Sequence, residues 1–145
     1  MSVPARINIV TLGVDDLARS TAFYEALGWR RCSSSIEGTI VWFDTGGTYL
    51  GLFGSDALAA DAGLAGAARG GFGGVTLAIN VHSAAEATEA LATAQRAGGS
   101  IIRPGHDAPE FDGFSGYFAD PDGHAWEVAY NPGFPLDERG RLTIP

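Results

Sequence analysis

The chain has 145 residues and a mass of 15.0 kDa, which suits one domain or two small modules sharing a core. Its 17 acidic residues outnumber 9 basic ones, all arginine, and the net charge of −8 argues against nucleic acid and anionic membranes while permitting a cationic ligand. A lone Cys32 excludes an internal disulfide and a Cys-rich zinc site. No apolar run approaches the roughly 18 residues of a membrane span, and Met1–Arg6 has no apolar signal core, so a soluble cytoplasmic protein is expected.

The β-branched run from Arg6 to Gly13 reads as a strand. Asp15 or Asp16 can cap the helix that follows, with Leu17, Tyr24 and Leu27 on one face and Gly28 as its stop. Three strands are expected next, over Trp29–Ser34, Thr39–Asp44 and Thr48–Phe53, the last two joined by a turn at Thr45-Gly46-Gly47. Residues 55–74 are rich in Ala and Gly and read as a partly mobile linker, with a short helix over Ala57–Ala62.

The order then repeats. Val75–Val81 reads as a strand, and Ser83-Ala84-Ala85-Glu86 has the form of a capping box. The helix it opens runs to Ala97 and ends at Gly98-Gly99, before strands near Ser100–Arg103, Gly113–Ala119 and Ala125–Tyr130. The turns repeat as well: Asp44-Thr45-Gly46-Gly47 and Asp120-Pro121-Asp122-Gly123 precede the two final strands and align Gly51 with Glu127. The expected organisation is a single domain over 1–145. It comprises a first module at 5–54, a linker at 55–74, a second module at 75–131 and an extended arm at 132–145.

Val14-Asp15-Asp16-Leu17-Ala18-Arg19-Ser20, with Phe23-Tyr24 and Leu27-Gly28, resembles the N-terminal signature of the vicinal oxygen chelate superfamily. Gly116 to Glu127, reading GYFADPDGHAWE, resembles its C-terminal signature. That superfamily includes glyoxalase lyases, extradiol dioxygenases, epimerases, and fosfomycin and bleomycin resistance proteins. The resemblance covers about residues 5 to 132 and implies an α+β fold. Two tandem βαβββ modules would form a curved, half-open barrel-like cleft, often in homodimers.

The family's metalloenzymes place ligands on the first and last strand of each module. Carried onto this chain, those positions fall at Ile9, Gly51, Thr76 and Glu127, of which only Glu127 is a good ligand. A one-residue slip would offer Asn8 but would turn the side chain to the other face of the sheet. One carboxylate does not hold a catalytic divalent ion, so no metal and no cofactor are expected.

Glu127 stands out regardless, as a carboxylate in an apolar strand on the same face as Ala125 and Ala129. It is the one candidate catalytic residue. The aromatic residues Trp42, Phe53, Phe111, Phe114, Tyr117 and Trp126 fall on or beside cleft-building strands, and most aromatics in a chain of this size form core. Two or three of them are expected to face a ligand beside Glu127. His82, His106, His124 and Cys32 read as structural, and Gly70–Gly74 lacks the Lys-Ser/Thr pair of a phosphate loop.

The leading reading is a glyoxalase/bleomycin-resistance-like protein that binds a small aromatic or cationic molecule in its cleft without a catalytic metal. The alternative is an enzyme of lyase, isomerase or dioxygenase type in which Glu127 acts as acid, base or metal ligand, with Tyr117 or His106 nearby. A third reading is a dimeric structural or interaction module with a vestigial cleft.

Overall fold

The structure is a computed structural model, described here for residues 2–66 and 71–145. Residues 67–70, within the segment expected as linker, lie outside the described residues. The chain is α+β and divides into two compact units, residues 1–69 and 70–145.

The first unit contains β1 (Ile9–Val14), α1 (Leu17–Ala26), β2 (Ile40–Asp44), β3 (Tyr49–Gly54) and α2 (Ser55–Asp61). Its sheet has the order β1-β3-β2, with β1 parallel and β2 antiparallel to β3. Helix α1 starts where Asp16 Oδ1 accepts the Arg19 N–H at 3.0 Å. It ends in a Schellman closure: Gly28 (φ 95°) donates to Glu25 O at 2.9 Å and Trp29 to Tyr24 O at 3.2 Å. The Trp29 ring completes that closure against Tyr24, with centroids 5.4 Å apart. Tyr24 also meets Phe43 at 5.8 Å, so α1 covers the sheet face that carries Phe43, Val41, Leu50 and Leu52.

The strand expected over Trp29–Ser34 is reduced to one bridge, Arg31 to Phe43. Cys32 N–H reaches Trp42 O at 2.7 Å, but the chain then turns, with Ser35 N–H donating back to Cys32 O. Ser35 Oγ accepts the Trp42 N–H at 3.0 Å and so occupies a donor that would otherwise extend the ladder. The segment expected as linker opens with α2, which sits on β1: a Cβ at Gly13 would lie 3.1 Å from Ser55 Oγ and 3.5 Å from Leu58.

The second unit contains β4 (Thr76–Asn80), α3 (Ala84–Arg96), β5 (Ser100–Ala108), a single 3-10 turn at Pro109–Phe111, β6 (Gly113–Ala119) and β7 (Ala125–Tyr130). The sheet order is β4-β7-β6-β5, the parallel pair again joining the first and last strands. Ser83 Oγ caps α3 by accepting the Glu86 N–H at 3.1 Å, while Glu86 reaches back one residue further than a standard capping box, to His82 N–H at 2.8 Å. Leu91 of α3 lies over Gly116, so the helix covers the face that also bears Phe118, Trp126 and Val128. Trp126 and Phe118 stack there with centroids 6.2 Å apart.

The tail does not run as an extended arm. It folds back on itself through a Leu136–Leu142 bridge, and Asp137 Oδ1 accepts the N–H groups of Arg139 and Arg141. Those backbone donors, Arg141 first, hold the Asp137 carboxyl below the usual carboxylate range. No helix among the described residues is long and apolar enough to cross a membrane.

Candidate functional site

Strands β6 and β7 are joined by residues 120–124, and the turn chemistry there sets the register. Buried Asp120 accepts the N–H groups of Asp122 at 3.0 Å and His124 at 2.8 Å through Oδ1. Its own N–H donates to His124 O. Ala119 therefore pairs with Ala125, Tyr117 with Glu127 and Ser115 with Ala129. Strand alternation then places Ser115, Tyr117 and Glu127 together on the face turned away from α3.

On that face Glu127 Oε2 accepts two hydrogen bonds, from Ser115 Oγ at 2.9 Å and from Tyr117 OH at 3.0 Å. No donor among the described residues reaches Oε1, which leaves that oxygen to a ligand or to water. Ser115 is buried, while Tyr117 and Glu127 are half-buried, so the carboxylate is fixed in orientation and still reachable. The register extends the row on both sides: Ala78 of β4 pairs with Glu127, and Arg103 of β5 pairs with Tyr117.

Burial raises the Tyr117 phenol above its ordinary value of 10.0, and the hydrogen bond to Glu127 and its charge push the same way against a smaller opposing effect of Arg103. Tyr117 is thus a proton donor to Glu127 at neutral pH and not a base. A raised phenol pKa contributes stability fully present below the unfolded value, about 10, and lost as pH rises through the folded value. Unfolding by urea between pH 8 and 11.5 is expected to show a steeper alkaline loss of stability in the wild type than in Tyr117→Phe. Equal slopes would contradict this reading.

The residues singled out from sequence separate into distinct places. Tyr117 and Glu127 meet directly. Trp126 is a core residue, 5% exposed on the helix-covered face, and Phe114 shares that side, its ring lying where a Gly105 Cβ would fall. Phe111 belongs to the 3-10 turn and lies over Gly113. In the first unit, Trp42 and Phe53 lie on the face opposite α1, with Trp42 beside Gly51.

His106 pairs with Ser115, and its Nδ1 lies 3.0 Å from Pro104 O. His82 stands at the entrance to α3 and His124 in the turn, and Cys32 is a half-buried free thiol. Ser115 and Arg103 escaped the sequence reading. The Asp120–His124 turn carried the signal for Ser115, because closing Ala119 on Ala125 fixes every pair beyond it.

The sequence matches the family model of the Glyoxalase/Bleomycin resistance protein/Dioxygenase superfamily over residues 6–128. The chain belongs to this superfamily. It is similar over its whole length to the crystal structure of a glyoxalase-related enzyme from Fulvimarina pelagi, with 34% identity, a TM-score of 0.86, and coverage of 97% of this chain and 98% of that one. The fold is shared with a glyoxalase/bleomycin resistance protein/dioxygenase from Nocardioides (24% identity, TM-score 0.72, coverage 94% and 93%). It is shared also with lactoylglutathione lyase from Agrobacterium tumefaciens (24% identity, TM-score 0.65, coverage 89% and 96%). No curated protein matches the chain.

The superfamily's metal centres need several donors converging on one ion, and the residues here do not fit one. In the first unit the row is Thr11–Gly51–Trp42; in the second, the corresponding row is Ala78–Glu127–Tyr117. Ile9 and Thr76 lie one alternation away on the same faces. Gly51 supplies no ligand, and a Cβ there would already lie 3.2 Å from Thr11 Oγ1 and 3.3 Å from the Trp42 ring. Among the described residues no three His, Cys, Asp or Glu side chains gather. Glu127 spends its Oε2 on Ser115 and Tyr117 instead.

Proposed function

We propose that this superfamily member binds a small organic molecule carrying an ammonium or other strong hydrogen-bond donor on the face around Glu127, without a catalytic divalent metal. It would do so as a cytoplasmic homodimer. The observation that carries the reading is the asymmetric use of Glu127, with two donors on Oε2 and, among the described residues, none on Oε1. A carboxylate oriented in this way is built to accept from a ligand, and the net charge of −8 favours a cation approaching it. The half-buried ring of Tyr117 adds a flat wall against which an aromatic ligand can lie.

The same pair supports a second reading, an enzyme in which Glu127 takes a proton from the ligand while Ser115 and Tyr117 hold its carboxylate in place. Titration with benzylamine, and with benzyl alcohol as its neutral counterpart, tests the binding reading. Benzylamine is expected to bind more tightly, and Glu127→Gln to weaken it by about tenfold or more, since hydrogen bonds to a charged group contribute about 1.5–3 kcal/mol. Equal affinity for the two compounds, or no effect of Glu127→Gln, would overturn it.

A further inference from the structure

The row that carries Glu127 also carries a cation. Ala78, Glu127, Tyr117 and Arg103 follow one another across β4, β7, β6 and β5. Strands lie about 4.8 Å apart, so the Glu127 and Arg103 backbones are separated by about 10 Å, with the Tyr117 ring between them. Neither charge meets an opposite charge among the described residues. Arg31 and Arg96 pair with Glu25, Glu37 and Glu89, whereas Arg103 makes no ion pair or hydrogen bond among the described residues despite the acidic excess. Among the described residues Glu127 is met by two neutral hydroxyls and no cation.

The ladder between β5 and β6 slips on both sides of Arg103, between Ile101 and Arg103 and again between Arg103 and His106. Such bulges re-aim a side chain relative to its neighbours and are over-represented beside binding sites. The result is an exposed guanidinium opposite Tyr117 at one end of the row and a reachable carboxylate oxygen two strands away.

We infer that Arg103 and Glu127 hold the two ends of a zwitterionic ligand, its carboxylate on the Arg103 guanidinium and its ammonium on Glu127 Oε1, with its body across Tyr117. Either residue alone selects one sign of charge. The two together on one row select a molecule that carries both at a fixed spacing, because each charge left unmatched on closing the site costs binding. This inference rests on the reading of Glu127 as a ligand acceptor given above.

The test uses the full chain and three probes, 4-(aminomethyl)benzoate, benzylamine and benzoate, measured by calorimetric titration. The zwitterion is expected to bind about tenfold more tightly than benzylamine. In Arg103→Gln, an exposed position where the fold is not at risk, that ratio should fall to about one. In Glu127→Gln the ratio of zwitterion to benzoate should fall to about one. A zwitterion that binds no better than benzylamine, or a ratio unchanged in Arg103→Gln, overturns the inference and leaves the cation site standing. Failure of all three probes to bind overturns both.

Discussion

Tyr24→Ala is expected to destabilise the protein by about 3–5 kcal/mol, the range for deleting a buried aromatic ring. Tyr24 is completely buried and meets three rings, Phe23 at 5.0 Å, Trp29 at 5.4 Å and Phe43 at 5.8 Å. Its removal empties the contact between α1 and the first sheet and also takes away the ring against which Trp29 closes the helix end. Two costs therefore fall at one position: a cavity among groups too rigid to collapse into it, and a weakened Schellman closure. Urea unfolding of purified wild type and variant checks this, with Tyr24→Phe as the control that retains the ring. A loss under about 1 kcal/mol would show that α1 is not seated on Phe43 as described.

Gly113→Ala is expected to cost about 3 kcal/mol, the upper end for overpacking, although it adds only one methyl group. The new carbon would fall on the Tyr130 carbonyl oxygen and 2.7 Å from the Phe111 ring. Phe111 can turn aside, but the carbonyl is backbone of β7, the strand that carries Glu127, so relief requires the strand itself to shift. Weakened ligand binding should accompany the lost stability. Gly73→Ala, with no atom within 4 Å of the added carbon, is the matched control and should lie within about 0.5 kcal/mol of wild type. Equal stability of the two variants would contradict the packing of Phe111 and Tyr130 around Gly113.

Beyond the α+β superfamily fold, what could be read from the sequence was local. Asp16 and Ser83 mark the helix starts, and Gly28 and Gly98 the helix ends, because capping depends on a few consecutive residues. β6 and β7 occupy the spans expected of them, bounded by the Asp120–Gly123 turn. β5 runs on to Ala108, beyond the expected Ser100–Arg103, because a register shift between Arg103 and His106 absorbs Pro104 and Gly105 without ending the strand.

Of the site, Glu127 was legible as a charged residue in an apolar strand, and Tyr117 as an aromatic beside it. Ser115 and Arg103 were not, since each is defined by cross-strand register over two hairpins. The alternation that sets Glu127 with Ala125 and Ala129 sends Trp126 to the opposite face, against Phe118.

The account turns on a ligand site at Glu127 that works without a divalent ion. The most direct test is calorimetric titration of benzylamine into chelator-treated protein, repeated after adding manganese, iron, nickel or zinc. The predicted result is saturable binding at one site per chain before any metal is added, with the same affinity afterwards. Binding that appears only once a metal is supplied, together with one tightly held ion per chain, would contradict it.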